Sequence, residues 1–567
     1  MTLLQWVLFF FLIQVVHFLG TWKLYKAAGF NFWQALIPVY NAYVLMQIIR
    51  RPKWWVLLLF IPTINLIMFA VIWVETLRSF GWNSTKNTML VIISAGFYIY
   101  ALNYSDNVKY IPNRSLKPKT SFGETISSIL FAIVAATIVH NYVIQPYIIP
   151  TGSLEKSLLI GDFLFVSKFH YGARVPMTAI SLPMVHDTIP LLKTRSYLKK
   201  PQLPYLRLPG VKKIKRNEIV VFSWPADTVR QFFVKEKRVD KPIDKKSNYV
   251  KRCVGIPGDT LEILNGFVYT NGSKNILPDR AKVQYTHYGY SQKGVSSRKL
   301  SSKGYSDYTR VYKIENISEP TYKQILPYII GRKGNTIEDF RVITGSKGLP
   351  TELIYKTGLK VSEILELKKE ITLTLREAEN LRKVQGIDSV VRRINQVKVP
   401  NEAFFPNKVP FDWNEDNFGP IVIPKIGMTV DLNQKNLSIY KKIIGEYEGN
   451  ILELNQQGIK INGEYSSKYT FKKDYYWMMG DNRHKSEDSR FWGFVPDDHI
   501  VGKPVFIWFS IKGINDGIKN WKVRWDRIFT TVDGPGKRVS YFPYFIGFII
   551  IWQGIVFYRR RKNNKVA

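Results

Sequence analysis

Apolar positions along this chain are bunched. The first 20 residues, MTLLQWVLFFFLIQVVHFLG, are almost continuously apolar. So are WWVLLLFIPTINLIMFAVIWV (54–74), TMLVIISAGFYIYAL (88–102), ISSILFAIVAATIVHNYVIQPYII (126–149) and YFPYFIGFIIIWQGIVFY (541–558). A helix needs about 20 such residues to cross a bilayer, so the pattern predicts about five transmembrane helices, the third of them short. The N-terminal run lacks a basic leader and a small-residue cleavage site, and reads as an anchor. Stretch 30–49, apolar and aromatic with a proline, reads as an interfacial or re-entrant helix.

Between about 150 and 540 the period changes to two. Short alternating runs bounded by Gly, Asn, Asp and Pro read as strands: 162–169, 217–224, 249–256, 259–272 and 503–510. GFVYTNG and GIKINGEY (458–465) both predict hairpin arms around an Asn-Gly turn. The expected fold is therefore a mainly β domain. Ser362–Arg382, charged with apolar residues near helical spacing, predicts a helix inside an inserted α+β lobe. The remainder of 280–440 reads as an accessory lobe with a solvated basic face.

Charge sets the orientation. Lys and Arg number 81 against 44 Asp and Glu, a net charge of +37. That balance suits polyanions, and the membrane runs make anionic lipid the expected partner, not nucleic acid. Basic residues concentrate in 21–53 (Lys23, Lys26, Arg50, Arg51, Lys53), in 103–125 (Lys109, Arg114, Lys117, Lys119) and in the tail RRRKNNK. Placing all three in the cytoplasm is consistent with five spans, and puts the N-terminus and 150–540 outside.

The chemistry narrows by exclusion. One cysteine, Cys253, allows no intrachain disulfide and reads as a small buried hydrophobe. Seven scattered histidines without HExxH or a Cys/His cluster predict no metal site. No phosphate-binding glycine loop and no GxSxG elbow is present. Ser153-Leu154-Glu155-Lys156 fits S-x-x-K, and SDN (105–107) and KTG (356–358) complete the penicillin-binding set as strings. Pro150 and Gly152 oppose the helix that S-x-x-K requires, however, and SDN falls in the wrong order and on the other side of the membrane.

Two further stretches carry candidates. In YVKRCVGIPGD (249–259), Lys251 sits among apolar residues. A buried lysine loses its proton readily and serves as a base; a surface Lys-Arg pair on an edge strand remains the competing reading. In YYWMMGDNRHKSEDSRFWGFVP (475–496), Asp488 and Arg490 are spaced for an ion pair and Ser486 for aiming a lysine amine. Taken by itself, that stretch reads as a polar Asx-type turn.

Together, the last run before Ser153 and the stretches 149–176, 216–225, 249–259 and 480–496, in that order, resemble the bacterial type I signal peptidases (leader peptidases, peptidase family S26). The resemblance implies a Ser–Lys dyad with Ser153 as nucleophile and Lys251 as general base. It implies that Thr151 and the Ser153 backbone N–H bind the oxyanion. Ser486 would orient the lysine, supported by Asp481, Asp488 and Arg490. Ile149, Leu154, Leu158 and Val250 fall where the family lines shallow pockets for small side chains of an Ala-x-Ala site. No cofactor or metal is implied; the implied partners are preprotein signal peptides. Where the family often carries Ser-Met-x-Pro-Thr, this chain has Ser153-Leu154-Glu155-Lys156-Ser157, so the local backbone differs.

The layout that follows is a membrane region at 1–125, a transmembrane helix at 126–149, a β-rich catalytic domain from 150–273 and 475–535, an accessory insertion at 274–474, and a C-terminal helix at 541–558 with a basic cytoplasmic tail. The expected location is the bacterial inner membrane, multi-pass, with the catalytic domain on the periplasmic side. The alternative is a non-catalytic membrane-anchored relative whose insertion binds partners; it predicts loss of a dyad residue, and none is lost.

Overall fold

The computed structural model describes residues 3–118, 120–229, 238–315, 317–334, 340–407 and 410–566. Lys119 lies outside them.

Three described helices are long and apolar enough to cross a membrane: Leu4–Ala27, Ser121–Val143 and Phe542–Arg559. The other two expected spans are each divided. The 54–74 run forms Trp55–Leu58 and Ile64–Ser79, broken where Pro62 removes a donor and Thr63 turns to φ 71°. The 88–102 run forms Thr85–Ile93 and Ile99–Asn103, separated by Ala95 and Gly96 in left-handed backbone (φ 49° and 89°). Five continuous transmembrane helices are therefore not what forms. The 30–49 stretch makes a short turn, Phe32–Ala35, and a helix, Tyr40–Ile48. It packs back on the first helix, whose Tyr25 hydroxyl donates to the Asn41 carbonyl at 2.7 Å. Arg51 and Arg114, from the two basic loops, both reach the buried Glu75 carboxylate, at 3.0 and 2.6 Å. The loops therefore lie on one face.

The span expected at 126–149 starts earlier and ends earlier. The helix is Ser121–Ile138, followed by a wider turn to Val143. Pro146 sets the limit: in a helix it would lose its bond and clash with the preceding turn. The chain switches instead to strand β1, Ile144–Ile148.

The main sheet contains β1, β2 (Asp162–Ser167), β3 (Ile219–Ser223), β4 (Asn248–Gly255), β5 (Tyr475–Met479), β6 (Val495–Pro496) and β7 (Ile500–Lys512). Their order is β1-β2-β7-β3-β4-β5-β6, all antiparallel. The 13-residue β7 pairs with β3 at its start and β2 beyond, bending at register shifts. β1 pairs with β2 on one side only, which leaves an edge. Pro146 is tolerated there because an edge strand need not donate outward.

Both predicted Asn-Gly turns form. Asn271-Gly272 joins Phe267–Thr270 to Ser273–Lys274, and Asn462-Gly463 joins Gly458–Ile461 to Glu464–Tyr465, each with two positive φ angles. The helix expected at 362–382 is mostly strand. Lys360–Ile364 and Lys368–Thr374 are β, and only Leu375–Arg382 is helical. Ile371 and Leu373 are buried, and Lys368–Thr374 pairs with Gln284–Tyr290, about 80 residues away in sequence. Thr374 then caps the helix in a reciprocal pair with Glu377. Phe418–Val422 pairs with Thr260–Leu264, so paired strands bridge the expected boundaries of the insertion at 274 and 474.

Candidate active site

Ser153 lies in a single tight turn, Gly152–Leu154, just past the end of β1. The turn packs against β4 and against a second turn, Arg483–Lys485. The Asn482 backbone N–H donates to the Ser153 carbonyl at 3.0 Å, and the Asn482 side chain donates to the Gly152 carbonyl at 3.2 Å. Gly480 makes this approach possible. A Cβ there would sit 2.2 Å from the Ser486 hydroxyl oxygen and 2.6 Å from the Ser153 carbonyl oxygen.

Lys251 projects from β4, an internal strand between β3 and β5, which disposes of the edge-strand reading. It is 4% exposed, and its amine donates to the Ser486 hydroxyl at 3.1 Å. No carboxylate among the described residues is within ion-pair distance of it. Burial lowers its pKa to about 8; Asp488 nearby acts in the opposite sense. The Ser153 and Thr151 hydroxyls have no protein hydrogen-bond partner among the described residues, and the Lys251 amine bonds Ser486, not Ser153.

The expected supporting residues separate into two buried ion pairs. Asp488 takes Arg490 bidentately, both contacts at 2.9 Å, and accepts the Gly480 N–H at 3.0 Å. Burial pushes the Asp488 carboxyl up, but Arg490 outweighs it and holds it below the usual range. Asp481 does not reach the lysine. It takes Arg252 at 2.6 and 2.7 Å, and Arg252 more than offsets the effect of burial on its carboxyl. The strand bearing Lys251 is thereby clamped to the loop bearing Ser486. Sequence reasoning missed Arg252, Gly480 and Asn482, although all three stood inside the quoted stretches.

Ile149, Leu154 and Leu158 are buried in one cluster with Leu164 and Val221, and Val250 packs against it. The four expected pocket residues are thus brought together in one apolar cluster that includes Leu154, the residue after Ser153, with Val250 only partly buried.

Lys156, the other lysine near Ser153, is occupied elsewhere: its amine pairs with Glu377 of the inserted lobe. Its backbone is left-handed, φ 66°, which a proline cannot adopt. The absence of the family's proline therefore follows from this local conformation. Gly358 of KTG caps a helix in the left-handed region, an ordinary structural use.

Residues 122–318 and 414–509, just over half of the chain, match the family described as "Signal peptidase, peptidase S26". The chain belongs to that family. It is a serine endopeptidase, and its apolar helices make it membrane-anchored. Residues 33–113 match a family of unknown function, DUF5684. Among curated relatives, Signal peptidase I of Buchnera aphidicola subsp. Acyrthosiphon pisum is 24% identical over 416 residues, covering 72% of this chain and 84% of the relative. Signal peptidase I of Haemophilus influenzae is 21% identical, covering 74% and 78%. Signal peptidase I of Rickettsia massiliae is 27% identical over 170 residues, 30% of this chain and 48% of the relative. The unmatched tract 319–413 is narrower than the insertion expected from composition.

Proposed function

We propose that this protein removes signal peptides from exported preproteins with a Ser153–Lys251 dyad, cutting after small residues of an Ala-x-Ala pattern. The observation that carries this reading is Lys251: a buried amine, free of a carboxylate partner, aimed by Ser486 and poised to be neutral near pH 8. A neutral amine takes the Ser153 proton while the serine oxygen attacks the scissile carbonyl. The Ser153 N–H and Thr151 hydroxyl hold the oxyanion; one such donor is worth about 3–4 kcal/mol. The ammonium then protonates the leaving amine. Once neutral again, the lysine activates the water that releases the acyl group.

Substrate binding follows from the open edge of β1, which can accept an extended peptide as an added strand. Ile149, Leu154, Leu158 and Val250 wall the pockets and exclude large side chains. The membrane brings enzyme and substrate together. Leu191, Leu192, Leu198 and Leu206 are exposed on the extracytoplasmic segment, and Trp6 of the first helix donates to the Gln202 carbonyl at 3.1 Å. This apolar surface and the +37 charge favour contact with anionic lipid. The basic loops meeting at Glu75 face the cytoplasm in this account, with the catalytic domain opposite.

The test is cleavage of a preprotein by detergent-solubilised wild type and by Ser153→Ala, with the product N-terminus mapped by mass spectrometry. Cleavage after a small residue, abolished in the variant, is expected. Activity retained in Ser153→Ala refutes it. A reporter fused after residue 170 that stays cytoplasmic refutes the orientation.

A further inference from the structure

A cleft of about 610 Å³ lies between the catalytic loop and the inserted lobe. Lys156 stands on one wall and Arg376 and Glu377, from the helix Leu375–Arg382, on another. Lys274, Lys282 and Arg483 complete its charged lining, and the apolar Phe267 and Leu277 contribute walls between them. Five cations thus face one carboxylate, and that carboxylate, Glu377, is already taken by Lys156.

Arg483 is the unexplained member. It is 4% exposed, yet it makes no ion pair among the described residues, and its Nε has no hydrogen-bond partner. Its Nη1 lies 3.9 Å from the Met479 sulfur, a weak acceptor. Asp481 and Asp488 are near enough to act on it but are paired with Arg252 and Arg490; a buried guanidinium without an ion-pair partner of its own is costly, so its lining an open cleft points to an anionic ligand.

The position says which anion. Counted from the membrane, the chain runs from the helix ending at Val143 through β1 to Ser153, and then to Lys156 on the cleft. Three residues place the Lys156 Cα within about 11 Å of that of Ser153. At about 3.3 Å per residue, a peptide laid along β1 in the direction of the chain would bring its third to fifth residues after the scissile bond within reach of this cleft.

Building on the peptidase function proposed above, we propose that the cleft binds the leaving-group side of the substrate and selects acidic side chains in the first residues of the mature protein, with Arg483 as the buried anchor and Arg376 and Lys274 as rim cations. The inserted lobe then acts as a specificity element, because it supplies one wall.

The experiment uses the detergent-solubilised full chain and three peptides sharing one small-residue cleavage site, with Asp, Gln or Lys at the third to fifth positions after it. Wild type is expected to cleave in the order Asp, Gln, Lys. Two exposed ion pairs give about a tenfold spread in kcat/KM between Asp and Lys at low salt, shrinking as salt is added. Both Arg376 and Lys274 are exposed, so reversing them leaves the core intact. The double variant Arg376→Glu, Lys274→Glu is expected to invert the order. Equal rates for the three peptides in wild type, or an unchanged order in the variant, overturns the proposal. Cleavage of none of them by wild type refutes the peptidase function on which it rests.

Discussion

With Lys251 as the general base proposed above, its ionisation sets the pH dependence of the reaction. The perturbation is pH itself, from 6.5 to 10, and the assay is the initial rate on a fluorogenic peptide at subsaturating concentration. With its pKa lowered by burial to about 8, about 9% of Lys251 is neutral at pH 7; an unburied lysine near 10.4 would be neutral in about 0.04% of molecules. Burial therefore supplies roughly 230 times more base at pH 7, and it costs the fold about 3 kcal/mol. The expected profile of kcat/KM rises with unit slope below pH 8, gains about tenfold between pH 7 and 9, and levels off. Ser486→Ala should lower kcat by about 10² with KM little changed, because it releases the amine from its 3.1 Å contact. A profile still rising with unit slope at pH 10 would mean that the reacting lysine is not desolvated, and would overturn the assignment of Lys251 as the base.

Three further outcomes follow from the same geometry. Lys251→Met should abolish cleavage yet raise the thermal unfolding temperature at pH 7. The folded-state pKa is depressed, so below about pH 8 the lysine carries its full burial penalty; that penalty fades as pH rises toward the unfolded value, and the stabilisation by Met fades with it. Gly480→Ala should lower kcat at least about 10²-fold in the same peptide assay, because the new Cβ would overlap both the Ser486 hydroxyl and the Ser153 carbonyl. Asp481→Ala leaves Arg252 buried without its partner and should destabilise the catalytic domain by about 3–5 kcal/mol, read by thermal unfolding.

Much of the site was legible in the chain because its parts are local. Ser153, Ser486 and the Asp488–Arg490 pair lie in short stretches whose order along the chain carries the family resemblance, although residue types alone leave a polar turn open for the last of them, and the Asn-Gly turns have backbone needs that few other residues meet. The side of the lysine was not legible. Whether Lys251 faces solvent or core depends on β4 lying between β3 and β5, a non-local pairing that alternation alone leaves open. The same limit explains Ser362–Arg382, whose charged, loosely periodic sequence suits a helix until Gln284–Tyr290 offers it a partner. Likewise, an apolar run of the right length reads as a span even where Pro62 or the Ala95-Gly96 pair divides it. The tie between Lys156 and Glu377 bridges 221 positions, and no spacing rule could have found it.

That the distant lysine and not the near one serves Ser153 as base is decided by kcat/KM on one preprotein for wild type, Lys251→Ala and Lys156→Ala. A loss of at least about 10³-fold in Lys251→Ala, with Lys156→Ala within about tenfold of wild type as befits a partly exposed ion pair, is the predicted result. The reverse order, or full activity in Lys251→Ala, would contradict it.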